Sequence, residues 1–140
     1  MFDIEKLKDI FKNYPYIASA YLFGSYVSGR ISPMSDVDIA ILLKDNAPEG
    51  RELIHEEDYL AYRIANAFQL KEVDLVEINR QGTIFVHNVL KTGKLIYDAD
   101  PYFRIRFVAK AISDYCDFEP TLRFMKNYYF DGYRRRLARL

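Results

Sequence analysis

The stretch YLFGSYVSGRISPMSDVDIAILL, residues 21–43, carries most of the information in this chain. A run of apolar residues stops at Gly24-Ser25, a loop follows, and Asp36 and Asp38 flank the first residue of a second apolar run. Carboxylates at the start of a buried strand lose solvation, and two neighbouring carboxylates repel each other. The pattern therefore predicts a divalent metal ion at this position, facing a phosphate group.

Strand geometry brings these two carboxylates to one surface. Successive side chains of a strand point to opposite faces, so we expect Asp36 and Asp38 to share a face. The residues that alternate with them then face the core, namely Val37, Ile39 and Ile41. Mg²⁺ prefers carboxylate oxygens combined with water and substrate phosphate, so two carboxylates a pleat apart suit this ion.

A third carboxylate, Asp74, lies in the middle of another predicted strand, EVDLVEI, residues 72–78. Val73 and Leu75 flank it, and an ionised side chain in an apolar setting is costly unless it has a partner. If the two strands are neighbours, the three acids converge on one site. Such a site can hold two metal ions, which lie about 4 Å apart in two-metal enzymes.

Gly24-Ser25 supplies groups that suit a phosphate. Glycine permits a sharp turn and a close backbone approach, while N–H groups and the serine hydroxyl donate to phosphate oxygens. Each feature has an ordinary explanation when it is taken alone: a common turn, a solvated strand start or helix cap, and an edge residue solvated by water. Together they are explained by one site that binds metal and phosphate.

Apolar periodicity divides the whole chain into alternating helices and strands. Asp3 is the predicted N-cap of a first helix that Pro15 ends, and past Pro101 the pattern is helical to the end, broken or bent near Pro120. Between them we expect strands over 17–23, 37–43, 72–78 and 94–97 and helices over 51–69 and 82–92. This alternation indicates the α/β or mixed α+β class. The sequence does not determine the order of the strands in the sheet.

Composition indicates a globular protein of one domain. The chain has 140 residues, of which 50% are hydrophobic and 29% are charged. No apolar run approaches the roughly 20 residues that span a bilayer, and the N-terminus lacks the apolar core of a signal peptide. Cys116 is the single cysteine and has no intramolecular partner, so we expect a cytoplasmic location.

Charge is distributed unevenly although the formal net charge is zero. Residues 1–100 carry 11 Lys/Arg against 16 Asp/Glu, whereas residues 101–140 carry 9 against 4. A basic tail on an acidic body suggests a partner surface, and it is too weak a basic footprint to predict direct nucleic-acid binding. The tail also has aromatic residues that suit either a partner surface or core packing, namely Tyr128, Tyr129, Phe130 and Tyr133.

The motif as a whole resembles that of the polymerase-β-like nucleotidyltransferases: Gly24-Ser25, ten intervening residues, Asp36-Val37-Asp38, and Asp74 on a later strand. The segment SGRISPMSDVDIAILL most resembles the minimal nucleotidyltransferases, the MNT antitoxins of HEPN–MNT toxin–antitoxin pairs. The tail DYCDFEPTLRFMKNYYFDGYRRRL is similar to the C-terminal helices of that branch. None of the motif residues is replaced.

The resemblance implies a mixed sheet flanked by helices with a helical C-terminal segment. It implies one domain over 1–140, with a catalytic core over about 16–97 and C-terminal helices over about 102–138. The implied ligands of two Mg²⁺ ions are Asp36, Asp38 and Asp74, with Asp74 also a candidate base. Gly24 and Ser25 would hold the β- and γ-phosphates of ATP. The implied reaction transfers AMP to a tyrosine of a partner HEPN ribonuclease and silences it.

Two other functions stay open at this point. One is nucleotidyl transfer to a small molecule such as an aminoglycoside, although 140 residues leave little room for the substrate domain that such enzymes usually add. The other is a non-enzymatic antitoxin that neutralises its partner by binding alone, although the intact acids argue against it.

Overall fold

The structure is a computed structural model that describes residues 3–24 and 37–138. In chain order its elements are α1 (Ile4–Phe11), β1 (Ile17–Phe23), β2 (Val37–Leu43), α2 (Gly50–Ala67), β3 (Val73–Glu77), a 3₁₀ turn (Ile78–Arg80), α3 (Thr83–Thr92), β4 (Lys94–Asp98) and α4 (Pro101–Ala138). The predicted strands and the two inner helices are confirmed, and α1 begins as predicted at Asp3, whose carboxylate accepts a hydrogen bond from the Glu5 N–H at 3.1 Å.

The described strands form one four-stranded mixed sheet in the order β3-β2-β1-β4. β1 is antiparallel to both β2 and β4, whereas β2 and β3 run parallel to each other. A parallel pair needs a crossover connection, and α2 provides it between β2 and β3. This order places β2, the strand that contains Asp38, between two neighbours. It also confirms the condition on which convergence of the acids depends.

Helices cover both faces of the sheet. α1 and α2 pack on one face, where Val37, Ile39 and Ile41 of β2 are buried as predicted. α3 and the first part of α4 pack on the other face, where Ala40 and Leu42 of the same strand are buried. Because β2 buries apolar side chains on both faces, its sequence is nearly continuous in apolar residues rather than strictly alternating.

The start of α4 is fastened to the sheet by charged contacts. The Arg104 guanidinium lies 3.0 Å from the Asp98 carboxylate at the end of β4. Asp100 accepts a hydrogen bond from the Phe103 N–H at 3.0 Å, which caps the helix, and it lies 3.6 Å from the Lys44 ammonium. These contacts fix the direction in which the helix leaves the sheet.

α4 continues without interruption from Pro101 to Ala138, so the expectations of a break near Pro120 and of several C-terminal helices are wrong. The alternative of a bend at Pro120 stays a prediction. Proline lacks the N–H that would bond to the carbonyl of Cys116 one turn earlier. Both residues are exposed, so water can satisfy that carbonyl and the loss is smaller than in a buried helix. Within the described residues, no helix combines the length and apolar content needed to cross a bilayer.

Candidate active site

Two of the predicted acids lie side by side on neighbouring strands. Asp38 of β2 is the register partner of Asp74 of β3. Register partners project from the same face of a sheet, so the two carboxylates emerge together on the face that α3 and α4 cover. They lie at the end of the sheet where β2 begins. The parallel pairing therefore brings Asp38 and Asp74 together, two of the three acids whose convergence was conditional on strand order.

The surroundings of the two acids differ. Asp38 lies on a central strand and is half-buried, whereas Asp74 lies on the edge strand β3 and is exposed. The expectation that Asp74 lies in a costly apolar setting is therefore wrong, because an edge strand leaves this side chain open to water. The desolvation argument holds only for Asp38. The exposure of Asp74 leaves it accessible to a molecule that arrives from solvent.

Gly24 lies directly against Asp38. It follows Phe23, which is the register partner of Asp38 in the antiparallel pairing of β1 with β2. The φ angle of Gly24 is +78°, and a Cβ placed on this residue would lie 2.5 Å from Asp38 Oδ2. Both the left-handed backbone and the lack of space require glycine. The Asp38 carboxylate thus occupies the volume that a side chain at position 24 would fill.

The other two predicted site residues, Ser25 and Asp36, lie outside the described residues. Within the described ranges 3–24 and 37–138, no three His, Cys, Asp or Glu side chains group as metal ligands. The described part of the site consists of Asp38, Asp74 and Gly24. The roles given to Ser25 and Asp36 stay predictions.

Asn79 is a site-supporting residue that the sequence analysis missed. Its carboxamide accepts a hydrogen bond from the Leu43 N–H and donates one to the Leu43 carbonyl, both at 2.8 Å. Leu43 ends β2, and Asn79 lies in the 3₁₀ turn after β3, beyond the last paired residues of the two strands. The side chain therefore extends the β2–β3 pairing and fixes the register that sets Asp38 beside Asp74. The only sequence signal was a polar residue after a strand.

An aromatic pair borders the site. Phe23 shares the face of its register partner Asp38 and meets Phe85 of α3 edge to face, with ring centroids 5.6 Å apart. Edge-to-face packing is a favoured arrangement for aromatic rings. The pair therefore holds α3 against the strand end from which Gly24 leaves.

A second pair of acids lies on the opposite face of β3. Glu57 of α2 faces Glu77, and burial together with the Glu77 carboxylate raises the pKa of Glu57 to about 7. Glu77 is also 3.8 Å from the Arg80 guanidinium. When Glu57 is protonated, its carboxyl group can donate a hydrogen bond to Glu77 and so join α2 to β3. This pair supports the strand from behind and is separate from Asp38 and Asp74.

Comparison with known proteins agrees with this geometry. A family model described as "Polymerase beta, Nucleotidyltransferase" matches residues 5–102. Protein adenylyltransferase MntA of Shewanella oneidensis is 33% identical over 112 residues, which cover 80% of this chain and 73% of that protein. A crystal structure of a toxin–antitoxin with AMP-PNP matches with a TM-score of 0.72 and 25% identity, over 92% of this chain and 99% of that one.

A further solved structure contains the tri-AMPylated Shewanella oneidensis HEPN toxin in complex with an MNT antitoxin. It matches with a TM-score of 0.65 and 24% identity over 91% of this chain and 95% of that one, a likeness of fold. The family match spans most of the chain, and the predicted fold and resemblance are confirmed. The substrate class is a nucleotide. The chain belongs to the polymerase β nucleotidyltransferase family and is a relative of the MntA protein adenylyltransferases.

Proposed function

We propose that this chain is an antitoxin that transfers AMP from ATP to a tyrosine hydroxyl of a partner HEPN ribonuclease and thereby silences it. The observation that carries the proposal is the register pairing of Asp38 with Asp74, with Gly24 packed against the first of them. Two of the comparisons support it. MntA of Shewanella oneidensis is a protein adenylyltransferase, and the HEPN toxin of that organism is AMPylated in its complex with an MNT antitoxin.

The donor set fits Mg²⁺. Asp38 and Asp74 present carboxylate oxygens on one face, and Asp36, two residues before Asp38 in the sequence, is the predicted third carboxylate of the set. When bound, two Mg²⁺ ions would balance the charge of the triphosphate and of the attacking and leaving oxygens. Without that balance the carboxylates of Asp38 and Asp74 repel the triphosphate, so nucleotide binding should depend on the metal.

The chain's own groups orient and deprotonate the reactants. Gly24 and Ser25 donate hydrogen bonds to the β- and γ-phosphates from the backbone and the serine hydroxyl. The tyrosine oxygen attacks the α-phosphorus, the bond from that phosphorus to the bridging oxygen breaks, and pyrophosphate leaves. Asp74, exposed on the edge strand, accepts the phenolic proton. A negatively charged nucleophile thus forms only next to the phosphorus that it attacks.

A protein acceptor suits this site better than a small molecule. The described residues form one sheet with its helices, and they include no added domain that would enclose a small substrate beside Asp74. A tyrosine on an extended segment can reach an exposed carboxylate from solvent. Cys116 is exposed and forms no disulfide, which favours a reducing compartment. The cytoplasm is such a compartment, and it also contains the ATP that the reaction needs.

The test follows the phosphates separately. The chain is incubated with Mg²⁺, a candidate partner HEPN ribonuclease, and ATP labelled at either the α- or the γ-phosphate. Label from the α-position alone should appear on the partner, should be lost with Asp38→Asn, and should persist with Asp45→Asn, a matched change in an exposed loop. Label from the γ-position would indicate a kinase. Absence of label, with the toxin still neutralised by Asp38→Asn, would indicate inhibition by binding alone.

A further inference from the structure

The C-terminal half of α4 extends beyond the body of the domain. Phe103, Phe107 and Ala111 pack against the sheet and α3, and the ring of Tyr115 stacks on that of His87 in α3. Beyond them, Phe118 and Leu122 are partly buried. From Arg123 to Tyr129 every side chain is exposed. Leu122 is the last partly buried position among the described side chains of this helix. The helix therefore continues past the point at which the described fold supports it.

Large apolar side chains line one side of this extension. Phe124 is 71% exposed, Met125 42%, Tyr128 69% and Tyr129 68%. Their spacings of one, three and four residues place them next to one another on the helix surface. The rings of Tyr128 and Tyr129 are in edge contact, with centroids 5.8 Å apart. We call these four residues the α4 patch.

An exposed helix with such a patch is not a stable arrangement in water by itself. Isolated helices of this length are marginal, and most helix stability in proteins comes from packing an apolar face. Pro120 removes a backbone hydrogen bond one turn before the patch and weakens the helix further. Contiguous exposed apolar side chains of this kind mark interaction surfaces. The α4 patch therefore requires a covering surface.

The positive charge at the C-terminal end of α4 restricts which kind of surface can cover the α4 patch. Residues 120–140 contain six Lys/Arg and one Asp. Arg135 and Arg136 are exposed and follow Tyr128 and Tyr129 by seven residues, which is two turns along the same side of the helix. A second copy paired in parallel through the same patch would set these cations against each other, which is unfavourable. The arrangement fits a protein surface with an apolar groove that ends in carboxylates.

We infer that the α4 patch is the docking surface for the protein partner, and that the partner offers an apolar groove with an acidic end that receives Arg135 and Arg136. This inference rests on the proposed function, which identifies the partner as a HEPN ribonuclease. It assigns catalysis and partner binding to separate parts of the chain. The strand end with Asp38 carries out the chemistry, and the end of α4 holds the acceptor protein.

Binding to the partner HEPN ribonuclease of the proposed function, measured by calorimetry without ATP, tests the inference independently of transfer. The double variant Phe124→Ser/Tyr128→Ser should raise the Kd at least about 10-fold, because buried aromatic residues dominate interface energies. The matched control is Tyr102→Ser, which changes a 73% exposed tyrosine of the same helix, about 39 Å from Tyr128 at 1.5 Å per residue. It should change the Kd less than about 2-fold.

Two further measurements complete the test. Arg135→Glu/Arg136→Glu should also weaken binding, and the wild-type affinity should fall as salt is added. A photoreactive benzoylphenylalanine in place of Tyr129 should form an adduct with the HEPN protein, which keeps the test valid even if the double variant loses helix content by circular dichroism.

Several outcomes would overturn the inference. They are an unchanged Kd in the double variant and a photoadduct that forms only with a second copy of the chain. A wild-type chain that binds the HEPN protein through the patch but transfers no AMP would support the docking surface and refute the proposed function. A wild-type chain that forms no complex with it would refute the docking surface.

Discussion

Replacing Gly24 by alanine tests whether the glycine is needed because of its neighbour. The added Cβ would lie 2.5 Å from Asp38 Oδ2 and 3.4 Å from its Cγ, whereas contacts under 3.0 Å require something to move. The carboxylate must therefore shift by about 0.5 to 1 Å. The φ angle of +78° adds a penalty of about 1 kcal/mol for any residue with a Cβ. The substitution thus perturbs the position of Asp38 as well as the backbone.

These magnitudes separate a loss of activity from a loss of stability. A displacement of about 1 Å in a catalytic group costs roughly 100-fold in rate. We therefore expect Gly24→Ala to lower the kcat/KM of AMP transfer about 100-fold while the free energy of unfolding falls by only about 1 to 2 kcal/mol. Transfer is followed with α-labelled ATP, and stability is followed by urea denaturation.

Gly50 provides the matched control. Its φ angle is +62°, and a Cβ placed on it would meet nothing within 4 Å. Gly50→Ala therefore imposes a similar backbone strain without displacing a carboxylate, and it should lower stability by about 1 kcal/mol with unchanged transfer. Equal transfer by Gly24→Ala and the wild type, or equal loss of transfer in both variants, would refute the reasoning from the Asp38 contact.

Three other predictions address register, pH and metal. Asn79→Ala should lower the free energy of unfolding by about 1 to 3 kcal/mol in urea denaturation, because the paired backbone groups of Leu43 lose their partner; an unchanged value would contradict the register role. Since folded Glu57 keeps its proton up to about pH 7 and an unfolded glutamate releases it near 4.5, stability should fall by about 1 kcal/mol as pH rises through this window. Glu57→Gln should abolish that fall in denaturation series from pH 4 to 8, and Glu52→Gln on the same helix should not. ATP affinity measured by calorimetry should be much lower in EDTA than in Mg²⁺, and equal affinities would refute the two-metal site.

Much of the site was predictable because its signals are local. Two residues depart visibly from strand composition. Asp38 is a carboxylate within an apolar run, and Gly24 is a glycine at the end of the preceding apolar run. The alternation of Val37, Ile39 and Ile41 likewise shows which side of β2 faces the core. Each of these inferences depends on chain geometry over a few residues.

The rest depends on contacts between distant parts of the chain. Strand order decides that Asp74 is an exposed edge residue, and the register that sets it beside Asp38 depends on the distant pair Asn79 and Leu43. The unbroken helix through Pro120 depends on exposure, because only a hydrated carbonyl tolerates the missing donor cheaply. None of these conditions leaves a periodic mark in the sequence.

The continuity of α4 through Pro120 has a consequence for the choice of acceptor tyrosine. A hinge at Pro120 would let a partner protein bound at the end of α4 adopt many positions relative to Asp38 at the start of β2. A continuous helix anchored by Arg104 and Asp98 allows fewer, and at 1.5 Å per residue about 36 Å of helix axis lies between that anchor and Tyr128. A tyrosine is then selected by its reach: only one on a segment long enough to return from the docked body to Asp74 can react. Under the proposed docking, the length of α4 therefore determines which tyrosine of the partner can reach Asp74.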